Sequence, residues 1–323
     1  MHRRAILFGL FAVLITAPRP VHAQAPTFTK AYTVSGDAAL DATTDSGTIV
    51  VRTGSGNTIQ VRGTVELRRG RGVPSNAAEL AQKVAAQPPV TQDGNTVRLV
   101  RIEDELTRKA VSISYDVTVP ARTAVSARSG SGDVMVNGAQ LAVSARTGSG
   151  DISVRGAGAD ADLRTGSGSI TVDEVAGMAR VGTGSGSVRA TAIGAGLHAS
   201  TGSGDIEATL TGKGDVQTST GSGSISLSGV VGAVQASTGS GDVRVAGTPT
   251  GNWRLSAASG SLDVRVPGEQ GFTLDARSSS GSLDVDVPLS TQGRLDRRRV
   301  QGPVRGGGPT LELSTASGSI RVR

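Results

Sequence analysis

One feature constrains this chain more than any other: a four-residue motif that returns on a fixed step. The first glycines of [Ser/Thr]-Gly-Ser-Gly fall at Gly130, Gly148, Gly166, Gly184, Gly202, Gly221 and Gly239, with steps of 18, 18, 18, 18, 19 and 18 residues. Such a period marks a solenoid, whose units cannot bury their own apolar faces and must stack on their neighbours. Weaker copies stand at Ser46-Gly47-Thr48-Ile49, Thr53-Gly54-Ser55-Gly56, Ser259-Gly260-Ser261-Leu262, Ser280-Gly281-Ser282-Leu283 and Ser317-Gly318-Ser319-Ile320.

Within the repeat the apolar period is two, which specifies strands. After each glycine turn come pairs such as Val134/Val136, Ile152/Val154, Ile170/Val172 and Val243/Val245; before the next turn come Val143/Ala145/Thr147, Ala161/Leu163/Thr165 and Leu197/Ala199/Thr201. The expectation is an all-β, parallel β-solenoid with rungs of about 18 residues, spaced about 4.8 Å apart, and right-handed crossovers are the default. A thin lumen explains why 323 residues include only four Phe, two Tyr and one Trp, since a large ring would prise the two strands apart. The 46 glycines are expected to supply positive φ at sharp corners.

The ends read differently. His2, Arg3 and Arg4 precede an apolar run, Ala5 to Ala17, and Val21 and Ala23 fit a small-residue cleavage site, so residues 1–23 are expected to be a signal peptide. The run is too short to span a bilayer comfortably. Residues 24–120 read as early strands and a capping region, with a short helix over 77–86 started by Ser75 and a hairpin turning at Asp93-Gly94-Asn95. Residues 121–323 read as solenoid, interrupted by a basic loop over 288–309.

Loss of residues 1–23 removes Arg3, Arg4 and Arg19, so 30 basic residues face 27 acidic ones and the formal net charge falls from +6 to +3. That balance, with so few aromatics, does not point to nucleic acid. His198 is the one histidine left and cysteine is absent, which excludes disulfides, thiol chemistry and multi-histidine or cysteine metal sites. No cofactor and no metal are expected.

The run Ser112-Ile113-Ser114-Tyr115-Asp116-Val117-Thr118-Val119-Pro120, leading into Ser129-Gly130-Ser131-Gly132-Asp133-Val134, resembles the bacterial β-strand-repeat adhesin family. So does the ending from Gly306-Gly307-Gly308 through Ser317-Gly318-Ser319-Ile320. The resemblance implies an exported or envelope β-solenoid, some of whose relatives are tied to envelope stress, and it brings no catalytic motif.

Several residue groups invite a functional reading. Arg294, Arg297, Arg298, Arg299 and Arg305 could form a basic patch for an anionic glycan, lipid headgroup or other envelope component, against the plainer reading of a solvated loop. Arg128, Arg146 and Arg164 should stack on adjacent rungs, neutralised by Asp133 and Asp151 or by a bound polyanion. Arg244, Asp263, Asp284 and Arg321 should follow one another along a second ladder, beside Arg265 and Asp286. Adjacent carboxylates about 5 Å apart would suit a retaining glycosidase. The Asp residues after Gly-Ser-Gly do not match calcium-binding nonapeptides and read as turn caps. The Thr ladder sits at turns and reads as structural. The sequence thus favours an exported, non-enzymatic adhesin-like or scaffold module; the alternatives are a carbohydrate-active enzyme using Asp263, Asp284 and Asp286, and an envelope-stress signalling component.

Overall fold

The computed structural model describes residues 25–70, 72–268, 270–290 and 298–323. The expected signal peptide, 1–23, lies outside the described residues.

Each central rung is two strands joined by a Thr-Gly-Ser-Gly corner, as in Val143–Thr147 followed by Ile152–Ala157. Both strands pair parallel and in register with their equivalents 18 residues away: Val143 with Ala161 and Thr147 with Thr165 on one face, Ile152 with Ile170 and Val154 with Val172 on the other. Alternate residues point into a shared lumen, where Val143, Ala145, Ile152, Val154 and Leu163 are buried in one continuous apolar core. The chain is therefore a β-solenoid, dominated by parallel pairing across the 26 strands of the described residues.

The lumen is less restrictive than its composition suggests. Trp253 and Phe272 are both fully buried, 0% exposed. Trp253 stands in register between Val234 and Leu311, and its indole N–H donates to the Gly232 carbonyl at 2.9 Å. One large ring in a rung is accommodated once its polar atom has a partner.

At both ends the stacking order departs from chain order. The strand Leu262–Arg265 pairs with Ile320–Val322, which pairs in turn with Leu283–Val285. On the other face Val243–Ser259 pairs with Thr310–Ser317, and that strand with Phe272–Ser280. The final rung, 310–322, is thus inserted between rungs 253–265 and 272–285. The N-terminal end mirrors this: Ala38–Thr44 lies between Thr123–Ser129 and Thr96–Leu99, and Ile49–Gly54 between Val134–Asn137 and Val111–Pro120.

Antiparallel strands cover the outer rungs, which limits exposed β-edge. Thr58–Leu67 pairs antiparallel with Val111–Pro120 and is itself covered by Thr27–Thr33. Helix Ala77–Ala86 buries Ala77, Ala81 and Val84 against this cap; its N-cap is Asn76 rather than Ser75, with no side-chain capping bond. A second helix, Glu105–Ala110, was not expected; Asp104 caps it, accepting from the Thr107 N–H at 2.8 Å. At the other end the expected basic loop is in part a strand: Arg299–Val304 pairs antiparallel with Phe272–Ser280.

Candidate functional site

The corners show why the motif needs its residues. Thr147 points inward and its hydroxyl donates to the Gly132 carbonyl of the neighbouring rung at 2.8 Å, while accepting from its own Gly150 N–H at 3.3 Å. Thr165, Thr183 and Thr201 repeat the arrangement. From Gly130 to Gly223 the corner glycines serve close approach rather than positive φ, which corrects the expectation there, whereas the later corners at Gly241, Gly260, Gly281 and Gly318 take positive φ, between 154° and 158°, as expected. A β-carbon on Gly150 would fall 2.5 Å from the Gly132 carbonyl carbon and 2.8 Å from the Asp133 nitrogen. Left-handed φ also occurs in or just after the second strand, at Gly138, Gly156, Glu174, Ala192 and Gly229. Asp133 and Asp151 cap the next rung, accepting from the N–H groups of Asp151 at 2.9 Å and Ser169 at 2.8 Å.

Arg128, Arg146 and Arg164 do stack on adjacent rungs. Their acids are not Asp133 and Asp151. Arg128 pairs with Asp41 at 3.0 Å, and Arg146 and Arg164 share Asp162 at 2.7 and 3.3 Å. Asp133 and Asp151 are turned to the corner amides, where capping outweighs an exposed ion pair worth less than about 1 kcal/mol.

The second charged ladder is reordered by the inserted final rung. Arg244 faces Asp263, Asp263 faces Arg321, and Arg321 faces Asp284. Arg321 therefore separates Asp263 from Asp284, where adjacent carboxylates were expected. Arg321 pairs with Asp284 at 3.2 Å and Arg323 with Asp263 at 2.6 Å. Asp286, next along, donates its backbone N–H to the Val322 carbonyl at 2.8 Å. The ladder alternates in sign, as cross-strand ion pairs favour.

Of the basic loop, Arg294 and Arg297 lie outside the described residues. Arg298 accepts the Ser278 N–H on its backbone carbonyl at 3.0 Å. Arg299 is bound at 3.1 Å to Asp275, which also holds Arg277 at 2.6 Å. Burial alone would raise the Asp275 carboxyl, but the hydrogen bonds from Arg277 and Arg299 more than offset it and hold it below the usual range. Arg305 adopts left-handed backbone, φ 49°, before Gly306.

A concave surface that the sequence did not single out continues from the arginine ladder. Beyond Arg164 the same outward position holds Gly182, Ser200, Ser219, Ser237, Ser256 and Ser314 in successive rungs. The adjacent outward ladder runs Arg180, His198, Gln217, Gln235 and Arg254. Short side chains on one row and long ones on the other leave a trough. One hollow of about 280 Å³ lies among Arg164, Arg180, Gly182, His198, Ser200, Gln217 and Ser219, and a second of about 570 Å³ lies on the opposite side of the long row, against Asp215, Ala233, Asn252 and Thr310. Six rungs of small residues at about 4.8 Å each give a length of roughly 30 Å. Arginines stand at both ends: Arg164 and Arg180 at one, Arg254, paired with Glu312 at 2.9 Å, at the other. This surface can offer hydroxyl, amide and guanidinium groups at a regular spacing to an extended chain. The serine positions were readable from the 18-residue step, but only the pairing register aligns them with Arg180, His198 and Gln217.

Among the described residues no cluster of His, Asp or Glu side chains could hold a metal ion, and no helix is long and apolar enough to cross a membrane. Residues 25–221 and 215–323 match the family described as Toastrack DUF4097. Among curated proteins none matches the chain. Two solved structures are similar in part. A candidate adhesin from Bacteroides fragilis is 16% identical, with 92% of this chain and 97% of that chain covered and a TM-score of 0.34. A candidate cell adhesion protein from Clostridium sporogenes is 8% identical, with 92% and 98% covered and a TM-score of 0.21.

Proposed function

This chain belongs to the Toastrack DUF4097 family, and on that premise we propose that it is an exported, envelope-associated binding module that acts without catalysis, holding an extended anionic glycan or similar polymer along one face. The observation that carries this reading is the hollow over Gly182, Ser200 and Ser219, whose row of small residues runs on in register through Ser237, Ser256 and Ser314. A linear polymer repeats its own polar groups, and a parallel solenoid repeats its partners in step. Recognition here rests on hydrogen bonds and charge, since the one tryptophan is buried and offers no platform for sugar rings. Arg146 and Arg164 share a single carboxylate, so positive charge is left over beside the trough's mouth.

The test is titration with a linear sulfated glycan, a carboxylated glycan and neutral dextran, together with an assay for released reducing ends. We expect the charged glycans to bind, binding to weaken with salt, and Arg164→Ala/Arg180→Ala or the trough-filling Ser219→Trp to cost roughly tenfold or more, the scale of losing one charge-assisted hydrogen bond. Equal binding of neutral dextran, indifference to these variants, or release of reducing ends would each overturn the reading.

A further inference from the structure

The antiparallel cap brings together two basic doublets that are far apart in the chain. Leu67 stands opposite Val111 in the pairing of Thr58–Leu67 with Val111–Pro120. The chain leaving Leu67 therefore runs beside the chain entering Val111, and the Arg68 N–H donates to the Ala110 carbonyl at 2.9 Å. Arg68 and Arg69 thus meet Arg108 and Lys109, from the end of helix Glu105–Ala110, around a cleft of about 550 Å³ that Arg101 also lines.

The cleft is short of negative charge. Its carboxylates are Asp45, paired with Arg101, and Glu105, paired with Lys109 at 2.7 Å. Arg68 is fixed by Ser46 at 2.6 Å and by the Val111 carbonyl at 3.1 Å. Arg69 and Arg108 line the cleft with no carboxylate in ion-pair reach among the described residues. Five cations against two carboxylates leave a net charge of +3, a repulsive arrangement that an anion would relieve.

Beside it, sharing Arg68 and Arg69, runs a groove of about 880 Å³. Its walls are Pro26, ahead of strand Thr27–Thr33, Val65, Glu66 and Leu67 of the cap strand, and Ala78, Ala81 and Gln82 of helix Ala77–Ala86, so apolar groups dominate and Glu66 is the one carboxylate among them. Leu67 is 48% exposed, one of four large apolar side chains left in solvent among the described residues. An apolar groove opening onto a preformed cation cluster has the two-part character of one kind of ligand.

We propose that the N-terminal cap binds an anionic amphiphile, its phosphate-bearing head group on Arg69 and Arg108 and a single acyl chain over Leu67, Ala78 and Ala81. An inorganic anion would leave the groove empty, and a neutral chain would leave the cations uncompensated. This site is separate from the trough and does not depend on it.

The experiment is calorimetric titration of the full chain with monomeric lysophosphatidylglycerol, beside inorganic phosphate and a lysophosphatidylcholine of the same chain length. We expect saturable binding of the anionic lipid, at least tenfold weaker binding of both comparators, and a loss of tenfold or more in Arg69→Ala/Arg108→Ala, the scale of losing one charge-assisted hydrogen bond. Arg69→Lys/Arg108→Lys should retain most of the affinity, Leu67→Asp should lose it, and Ser219→Trp should leave it unchanged, with circular dichroism confirming that each variant is folded. No saturable binding, phosphate or the zwitterionic lipid binding as tightly, or an unaffected double-alanine variant would overturn the proposal.

Discussion

Alanine at Gly150 and at Gly182 is the same chemical change at two sites on the same solenoid, with opposite expected outcomes. At Gly150 the added methyl would meet backbone: the Gly132 carbonyl carbon at 2.5 Å, the Asp133 nitrogen at 2.8 Å, and the Gly132 oxygen closer still. Reaching ordinary contact requires the corner to move by about 1 Å, which close-packed rungs resist. That shift opens the bonds meeting there: Thr147 to the Gly132 carbonyl at 2.8 Å, Thr165 to the Gly150 carbonyl at 2.8 Å, and the Asp151 N–H to Asp133 at 2.9 Å. With each worth about 1 kcal/mol, Gly150→Ala should destabilise by roughly 2–4 kcal/mol. At Gly182 the methyl would meet only the Ser200 hydroxyl at 3.5 Å, an ordinary contact. Gly182→Ala should be neutral, or stabilising by up to about 1 kcal/mol through the unfolded chain. Urea unfolding followed by far-ultraviolet circular dichroism and by Trp253 emission gives both numbers; two probes are needed because solenoids can unfold in parts. If the two variants fell within about 0.5 kcal/mol of each other, close approach would not be the reason for glycine at the corners, since that margin is the ordinary scatter of surface substitutions.

Two further outcomes follow from local geometry. Ala192 holds left-handed backbone, φ 54°, at the position taken by Glu174 in the adjacent rung and by Gly156 and Gly138 in the two rungs before it, so Ala192→Gly should stabilise by about 0.5–1 kcal/mol, and a loss in urea midpoint would contradict that. Asp275 has its carboxyl held below the usual range by Arg277 and Arg299 against the opposing effect of burial. Its contribution is therefore present above the unfolded value near ~3.9 and is lost as pH falls through the lower folded value; Asp275→Asn should be less stable at neutral pH, with the gap closing on acidification, and a gap constant with pH would refute the assignment.

The middle of the fold was legible because stacking repeats one environment. Once Thr147, Thr165 and Thr183 fall on an 18-residue step and Val or Ile alternates around them, period and register follow. The ends were not legible for the same reason. The copies at Ser259, Ser280 and Ser317 each present the same apolar template, so the sequence does not state which stacks on which, and chain order placed Asp284 beside Asp263 where Arg321 stands. The charged ladders were found, but their partners were misjudged, because Asp133 and Asp151 serve corner amides. The cap cleft was missed because Arg68 and Arg108 lie far apart in sequence and meet only through the antiparallel pairing of Leu67 with Val111. The Arg68-Arg69 and Arg108-Lys109 doublets at the two strand ends were the available signal.

The insertion of the final rung can be tested directly, because the chain has no cysteine. Asp263 and Arg321 are register partners on adjacent strands, whereas Asp263 and Asp284 are separated by the strand that carries Arg321. Adjacent strands lie about 4.8 Å apart and every second strand about 9.6 Å, while a disulfide needs Cα atoms within roughly 4.4–6.8 Å. Under mild oxidation the pair Asp263→Cys/Arg321→Cys should cross-link within the monomer and Asp263→Cys/Asp284→Cys should not. Cross-linking of 263 to 284, with 321 left as free thiol, would contradict the inserted rung and restore the adjacent carboxylates.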